Sequence, residues 1–417
     1  MIARIMSACR YDPTLDGSYA WFRVVISLAL ATIGSVGLWS FVVVLPAVAQ
    51  EFGVGRGEAS FPYTATMLGF ALGNFAVGRL VDRYGVAPPA FASILSLGLG
   101  YVAAALAENL YLVSLFHGVF IGTAAAIGFG PMIADISQWF RQRRGLAIAA
   151  VASGNYLAGA VWPPVIQYFV EDHGWRTTYM GIGVFCVAAM LPLAVILRAP
   201  APRHRRMQMS GGAAPASEEG LLSIDLSPRV LQVLLVVAGL ACCTAMSMPQ
   251  VHIVAYCVDL GFDAARGAEM LSVMLAAGVM CRLSSGWLAD KIGGVRTVLL
   301  GSFLQCVALF LYLPFDGLVS LYVVSLIFGL AQGGIVPSYA VIIREYLPAD
   351  RAGVAIGMTI MATVLGMALG GWLSGAIYEV TGSYTAAFLN GIGWNFLNIL
   401  VMVLILLRSG RPRLAVA

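Results

Sequence analysis

The chain has 417 residues, of which 60% are hydrophobic and only 11% are charged. Soluble domains carry about 25% charged residues, so this composition excludes a soluble globular protein, which would expose large apolar patches to water. The net charge of +4 does not indicate a nucleic-acid partner, and the seven cysteines lack the paired spacing of a metal site, so we expect no metal and no cofactor.

Twelve apolar segments, each long enough for a membrane-spanning helix, follow one another along the chain. Such a helix needs about 20 apolar residues, and the segments lie at 22–49, 60–81, 87–107, 110–137, 145–170, 177–198, 230–257, 267–289, 296–314, 317–343, 353–377 and 385–407. Residues 199–229 lie between the sixth and seventh segments and are polar and rich in glycine and proline, as flexible linkers are. The sequence therefore predicts an all-α membrane protein with six-helix halves at 1–198 and 230–417, joined by a linker at 199–229.

The basic residues are distributed unequally between the loops. All but four of the 24 basic residues fall on one side of the predicted membrane; the exceptions are Arg56, Arg176 and Arg266 in the alternate loops and Arg282 within a segment. Because Lys and Arg are enriched in cytoplasmic loops, we expect both termini and the linker in the cytoplasm. The protein is then expected in the cytoplasmic (inner) membrane.

Two loop motifs recur at an offset of 208 residues. The sequence Gly-Arg-Leu-Val-Asp-Arg-Tyr-Gly at 78–85 returns as Gly-Trp-Leu-Ala-Asp-Lys-Ile-Gly at 286–293. Arg-Arg-Gly-Leu-Ala at 143–147 returns as Arg-Ala-Gly-Val-Ala at 351–355. This repetition predicts two pseudo-symmetric halves related by an axis along the membrane normal.

These loops and the six-plus-six arrangement resemble the major facilitator superfamily over essentially the whole chain. A narrower resemblance is to its monocarboxylate transporter and oxalate/formate antiporter branch, whose entry motif is matched by Asp-Gly-Ser-Tyr-Ala-Trp at 16–21. Trp-Phe at 139–140 and Gly-Trp-Arg at 174–176 are also similar to that branch. The resemblance implies the major facilitator fold and a secondary transporter that moves a small organic anion by alternating access.

The resemblance also implies that the repeated loops latch the two halves together on the cytoplasmic side in the outward-open state. The residues that match this cytoplasmic latch are Gly78, Asp82, Arg83, Arg143, Arg144, Asp290, Lys291 and Arg351. The alternative interpretation is a set of ordinary positively charged loops with tight turns, whose arginines anchor the membrane interface.

Arg282 is the candidate substrate-binding residue with the clearest physical argument. It lies eight residues before Asp290, which at ~1.5 Å per residue places it about 12 Å into a ~30 Å hydrocarbon core. An arginine there costs roughly 2.5–3.5 kcal/mol, and its planar fork suits a carboxylate. The resemblance implies the same role, because family members use an arginine of the eighth span to bind the substrate carboxylate. The alternative is a structural arginine bonded to backbone carbonyls or to a hidden carboxylate.

Other polar and aromatic residues of the apolar segments are candidates for lining the same site. They are Trp39, Tyr63, Asn155, Tyr156, Gln332 and Tyr339, each of which is also typical of ordinary helix packing. No Asp or Glu lies deep in a segment, so a single buried cation favours a monocarboxylate over a dicarboxylate. His252, near the outer end of the seventh segment, is a candidate for proton coupling, for a gate, or for a residue that only caps the cavity.

Departures from the family pattern leave the coupling mechanism open. Animal-type proton-linked members carry a lysine in the first span and an aspartate one turn before the arginine, whereas this chain has no lysine at 39–45 and has Gly278. The lysine of oxalate-type antiporters in the eleventh span is absent as well. Proton symport and anion exchange therefore both remain possible.

Two further interpretations compete with a secondary transporter of monocarboxylates such as lactate, pyruvate or formate, whose direction of flux the sequence leaves open. One is a major facilitator exporter of other small molecules, and the other is a non-transporting membrane sensor. An enzyme is not expected, because the sequence has no His-Glu-x-x-His motif, nucleophile elbow or P-loop, and hence no catalytic residues are proposed. The expected partners are the organic anion, the lipid bilayer, and a proton or counter-anion, with the chain acting as a monomer.

Overall fold

A computed structural model describes residues 15–140, 143–198, 224–347 and 349–409, and within these ranges nearly every residue is helical. The side chains of Asp82, Arg144 and Arg351, and most of the predicted linker, lie outside the described part of the chain. The transmembrane helices of the first half are α1 (Ser18–Phe52), α2 (Arg56–Val81), α3 (Ala87–Ala105), α4 (Leu110–Ile136) and the stretch Gly145–Ile196, which contains α5 and α6. Those of the second half are α7 (Pro228–Asp259), α8 (Ala264–Ile292), α9 (Gly294–Leu311), α10 (Leu318–Tyr346), α11 (Gly353–Thr381) and α12 (Tyr384–Arg408).

The stretch Gly145–Ile196 contains two membrane crossings. It has 52 residues, whereas a single crossing needs about 20. The chain reverses at Gly174, where φ is 75° and ψ is 162° and the helix is interrupted. The 11 apolar helical stretches of the described residues therefore make twelve crossings, and the predicted all-α membrane fold is confirmed.

The two halves repeat each other in backbone geometry as well as in sequence. The described glycines with positive φ are Gly53, Gly85, Gly174, Gly261, Gly293 and Gly382, which form three pairs separated by the 208-residue offset. Glycine adopts positive φ without the steric cost that a Cβ would bring. Equivalent turns therefore end equivalent helices in the two halves, as a parallel repeat requires.

Helices α4 and α10 are broken at equivalent depths, although both segments look continuous in the sequence. In α4 the 3₁₀ turn Ala126–Gly128 is followed by Phe129 at φ −119° and ψ −97°. In α10 the helix Leu318–Gln332 stops and Ile335–Tyr346 resumes after two glycines. A break inside an apolar helix frees backbone groups that must find partners within the protein.

The halves contact each other through α1 and α7, α2 and α11, and α5 and α8. Small residues permit the close approach within the second half: a Cβ added at Gly370 of α11 would lie 2.2 Å from the carbonyl oxygen of Thr244 on α7.

The start of α7 is defined locally, because the Ser227 side chain accepts from the Val230 N–H and Pro228 occupies the first helical turn.

The entry motif at 16–21 packs against the loop between α4 and α5. The backbone N–H of Asp16 donates to the Trp139 carbonyl at 3.0 Å, and a carboxylate oxygen of Asp16 accepts from the Arg143 N–H at 3.3 Å. The rings of Trp21 and Phe140 meet edge to face, with centroids 4.9 Å apart. Two motifs that the sequence shows as separate signals therefore form one contact.

Arg23 is one of the basic residues that the loop charges assign to the cytoplasmic side, but in the structure it is buried in the first half. Its Nε and Nη2 donate to the two carboxylate oxygens of Asp135 at 2.8 and 3.0 Å, and Nη2 also donates to the Leu197 carbonyl at 3.2 Å. The guanidinium lies over the Trp139 ring, 4.7 Å from its centroid. Arg23 therefore contributes to helix packing and does not anchor the headgroup region.

Candidate substrate-binding site

Arg282 of α8 is buried where the two halves meet. Its Nη1 donates to the Ala152 carbonyl of α5, in the first half, at 2.8 Å. Its Nε donates to the Gly333 carbonyl, in the break of α10, at 3.2 Å. Only 6% of the residue is exposed. The Arg282 side chain thus joins α5, α8 and the break in α10. A guanidinium has five N–H donors, so these two bonds leave further N–H groups for a ligand.

The equivalent residue of the first half, Asn74, also supports a helix break. Its Oδ1 accepts from the Gly130 N–H just after the break in α4 at 3.1 Å, and its Nδ2 donates to the Phe70 carbonyl at 2.8 Å. An uncharged amide is sufficient for this backbone role in the first half. The positive charge of Arg282 is therefore not required by the broken helix alone.

The Tyr156 ring lies against the guanidinium of Arg282. The distance from the Arg282 Cζ to the ring centroid is 4.0 Å, within the range of a cation–π contact. Gly278, one turn before Arg282, provides the room for the ring, because a Cβ at 278 would lie 2.5 Å from two of its carbons.

Arg282 has no carboxylate partner among the described residues. Within the helices, Asp135 is paired with Arg23, and Glu269 with Arg266. The alternative interpretation of Arg282 was a structural arginine bonded to backbone carbonyls or to a hidden carboxylate. Backbone carbonyls do bind it, but no described acid neutralises its charge. A buried guanidinium in this state attracts an anion.

Trp39 contacts Asn155, the residue that precedes Tyr156 on α5. The Trp39 Nε1 donates to the backbone carbonyl of Asn155 at 2.9 Å and to its side-chain Oδ1 at 3.0 Å. Gly159, one turn further along α5, has no room for a Cβ because Trp39 and Leu275 of α8 fill the space. The structure therefore brings Trp39, Asn155 and Tyr156 together around the contact between α5 and α8.

Gln332 precedes the glycine whose carbonyl binds Arg282. Its Oε1 accepts from the Gln250 Nε2 of α7 at 2.6 Å, and its own buried Nε2 has no hydrogen-bond partner. An unsatisfied buried amide costs about 1–3 kcal/mol. The sequence did not single out Gln250, because a glutamine in an apolar helix shows no partner until the neighbouring helix is known.

Tyr63 and His252 lie together, nearer the start of α2 and the end of α7. The Tyr63 ring packs on Gly371 of α11, and its buried hydroxyl has no partner. The His252 Nε2 donates to the Gly371 carbonyl at 2.7 Å, which leaves Nδ1 as the acceptor facing the Tyr384 hydroxyl at 3.5 Å. No described hydrogen bond joins these residues to Arg282.

The Tyr339 hydroxyl is bound by a side chain of the second half. Its hydroxyl donates to the Asn398 Oδ1 at 3.0 Å, and the Asn398 Nδ2 donates to the Ser302 Oγ at 2.7 Å. These bonds link Tyr339 of α10 to α12 and α9, and no described hydrogen bond joins it to Arg282.

The described residues of the cytoplasmic latch are not engaged with one another. A Cβ added at Gly78, Gly145, Gly286 or Gly353 would have no atom within 4 Å. The Arg83 guanidinium lies over the ring of its neighbour Tyr84, and Asp290 and Lys291 are exposed without an ion pair between described residues. Among the described residues of the loops on this arginine-rich side, no hydrogen bond or ion pair joins the two halves.

On the opposite side the halves are joined by charged and polar contacts. Arg56 Nη2 of α2 lies 2.8 Å from the Asp259 Oδ1 at the end of α7. The Gly57 N–H donates to the Glu379 Oε1 of α11 at 2.9 Å. We call the Arg56–Asp259 pair and Glu379 the outer gate, because the orientation expected from the loop charges places this side outside the cell. The sequence did not predict it, because the three residues are far apart along the chain.

A twelve-helix membrane protein with two parallel repeats, broken helices and a buried cation between its halves has the architecture of a secondary transporter. The sequence profile of the Major Facilitator Superfamily matches residues 27–361 and 270–416, so the chain belongs to the Major Facilitator Superfamily.

Curated relatives are similar over nearly the full chain. Monocarboxylate transporter 13 of Rattus norvegicus is 26% identical over 380 residues, covering 89% of this chain and 86% of the relative. Monocarboxylate transporter 11 of Homo sapiens is 26% identical over 396 residues, covering 90% and 80%. A bacterial homologue of the human lysosomal transporter Spinster, solved inward-facing and unoccupied, has a TM-score of 0.69 at 13% identity, covering 95% of this chain and 100% of that one. The superfamily and the resemblance to monocarboxylate transporters are confirmed.

Proposed function

We propose that this transporter carries small monocarboxylates by alternating access, with Arg282 binding the substrate carboxylate. The observation that carries the proposal is that Arg282 is buried between the halves without a carboxylate partner among the described residues. A single buried cation binds a monoanion with charge balance, whereas a dicarboxylate would leave one negative charge unpaired. The names of the relatives support the same substrate class.

The remaining contacts are proposed from the donors around Arg282. The Gln332 Nε2 is a buried donor without a partner, on the residue next to Gly333. Tyr156 provides an aromatic face against the cation, and Trp39, held by Asn155, provides a second ring further along the contact between α5 and α8. A carboxylate with a short apolar or hydroxylated chain matches this combination of one charge, few hydrogen bonds and aromatic walls.

The state of the two sides supports a rocking motion of the halves. The halves 1–198 and 230–417 are proposed to pivot about Arg282, closing the latch when the outer gate opens. The arginine-rich loops are proposed to face the cytoplasm, which makes the present state inward-open. The protein is proposed to lie in the cytoplasmic membrane with both termini inside.

The transport proposal is tested with purified protein in liposomes. Labelled lactate, pyruvate and formate should enter by a saturable route, whereas lactamide, which lacks the charge, and oxalate, which carries two, should compete weakly. Movement of cationic or neutral compounds instead would indicate an exporter of other cargo. Saturable binding without any flux would indicate a sensor.

We expect the outer gate to bias the protein toward the inward-open state. Asp259→Asn should shift the population toward outward-open about fivefold, because an ion pair that is only partly exposed contributes about 1 kcal/mol. Cys281 is the described cysteine that is not buried, and it lies next to Arg282, so we choose it as the reporter of access from the arginine-rich side. In a Cys9→Ser background, labelling of Cys281 by an impermeant maleimide from that side should slow.

The matched control is Asp225→Asn, which removes the exposed Arg408–Asp225 pair. Its labelling rate should equal that of the parent protein. Equal labelling rates for the Asp259→Asn variant and the parent would show that the outer gate does not favour the inward-open state.

A further inference from the structure

A cluster of polar side chains from five helices of the first half has no role in the site described above. Ser40 of α1, Thr66 of α2, Tyr101 of α3, His117 of α4 and Tyr179 of α6 are all fully buried. Two of their polar atoms, the His117 Nε2 and the Tyr179 hydroxyl oxygen, have no hydrogen-bond partner among the described residues. A buried polar group without a partner is costly, so these two atoms require an explanation.

The hydrogen bonds around His117 determine which of its ring nitrogens carries the proton. The Thr66 Oγ1 donates its single hydrogen to the Pro62 carbonyl at 2.7 Å, so it accepts from the His117 Nδ1, which lies 3.0 Å away. In a neutral imidazole that is protonated at Nδ1, the Nε2 is an acceptor. The His117 Nε2 therefore needs a donor.

The Tyr179 hydroxyl has a hydrogen to donate and lies in the same cluster. Its ring contacts the His117 ring, with centroids 5.7 Å apart, and the Tyr101 ring, with centroids 5.1 Å apart. The Ser40 hydroxyl is close enough to influence Tyr179, but it is bonded to the Tyr101 hydroxyl at 2.7 Å. The cluster thus contains one acceptor and one donor that are not bonded to each other.

Helix α4 departs from regular geometry at His117. A π-helical turn extends from His117 to Gly122, and such turns are frequent at functional sites. Glycine brings this turn onto α2, because a Cβ added at Gly122 would lie 2.3 Å from the Thr66 carbonyl oxygen. The close approach holds His117 against Thr66.

The equivalent positions of the second half show that the fold does not require polar groups here. At the 208-residue offset stand five buried residues, four of them apolar: Met248, Met274, Leu309, Ser325 and Ala387. The polar member, Ser325, has its hydroxyl 2.9 Å from the Tyr312 hydroxyl. The unpartnered donor and acceptor are therefore a particular feature of the first half.

We propose that the first half binds one ordered water molecule between His117 and Tyr179. The ligand must donate to the His117 Nε2 and accept from the Tyr179 hydroxyl, and water does both. A halide ion has no hydrogen to donate, and a metal cation has no lone pair to accept one. Buried waters make about three hydrogen bonds, and the Ser40–Tyr101 pair provides further polar atoms beside them.

The water site has a mechanical consequence for the first half. His117 lies seven residues after Leu110, the start of α4, which at ~1.5 Å per residue places the site about 10 Å along the helix, within the depth of the membrane. The bridge joins the π-helical turn of α4 to α6. These helices then move together when the halves rock, whichever substrate is carried.

Radiolytic labelling of the purified protein tests the site without any substitution. X-rays convert a bound water into hydroxyl radicals that oxidise the side chains in contact with it, so a hydrated buried residue is labelled and a dry one is not. Tyr179 should be oxidised several-fold faster than Tyr312, which is as deeply buried and whose hydroxyl is paired with Ser325. Equal oxidation rates for the two tyrosines would overturn the proposal.

The sign of a stability change provides a second test. Tyr179→Phe breaks the bridge and should lower the unfolding temperature in detergent by about 2 °C or more. Without a bridging water, the substitution would remove an unsatisfied buried hydroxyl and would leave the unfolding temperature unchanged or raise it. Either of these latter results contradicts the proposal.

A double-mutant cycle assigns the effect to one shared ligand. His117→Phe combined with Tyr179→Phe should lower the unfolding temperature by clearly less than the sum of the single shifts, because either substitution alone breaks the bridge. The control pair, Tyr179→Phe with Tyr312→Phe in the other half, should be additive. Additivity of the His117 and Tyr179 substitutions would refute a shared water. A direct bond between the two side chains would give non-additive shifts without oxidation of Tyr179, and that combination refutes it as well.

Discussion

Replacing Arg282 with alanine should reduce monocarboxylate transport by at least about 100-fold. Two charge-assisted hydrogen bonds from a guanidinium to a carboxylate contribute together about 3 kcal/mol or more, which corresponds to more than a hundredfold in affinity. The loss should be visible as abolished counterflow in proteoliposomes. Arg282→Lys should also fail substantially, because an ammonium cannot reproduce the planar fork.

Structural damage is separated from loss of charge by two controls. Arg282→Gln retains an N–H donor near the position of Nε for the Gly333 carbonyl and removes the charge, so its thermal stability should be closer to that of the parent than that of Arg282→Ala, while transport is still lost. Arg266→Ala removes an arginine of the same helix that is 51% exposed at its side chain, and it should transport normally. Normal transport by Arg282→Gln would remove the basis for the carboxylate assignment.

Breaking the buried Arg23–Asp135 pair should have the largest effect on stability. Asp135→Ala leaves a guanidinium that is 1% exposed without its bidentate partner. Loss of one member of a buried pair costs about 3–5 kcal/mol. We expect a marked drop in the unfolding temperature of the purified protein in detergent and reduced yield from the membrane.

The reference variant for this experiment is Asp225→Ala, which removes a carboxylate whose side chain is 86% exposed. It should change the unfolding temperature little. Arg23→Met combined with Asp135→Leu should recover much of the lost stability, because well-packed apolar side chains can replace a buried pair. A loss for Asp135→Ala no greater than for Asp225→Ala would show that the pair does not stabilise the first half.

The architecture could be predicted from the sequence because it depends on local patterns. A run of about 20 apolar residues forms a spanning helix whatever its neighbours are, since no water is available to satisfy its backbone. The 208-residue repeat identified the two halves, and the paired turns at Gly85 and Gly293 and at Gly174 and Gly382 follow it. Arg282 was also identifiable, since an arginine so far inside an apolar run is costly wherever the helix packs.

The partners of these residues could not be predicted, because they depend on which helices are neighbours and how each is rotated. Nothing in the sequence indicates that Tyr156 covers Gly278, that Tyr339 faces Asn398, or that Arg23 is bound to Asp135. Hydropathy, charge and the recurring loop motifs therefore determined the number of crossings, the division into two repeated halves and the presence of one buried cation. Tertiary packing alone decided that this cation lies on an aromatic ring between broken helices, because contacts between residues more than a hundred positions apart leave no local pattern in the chain.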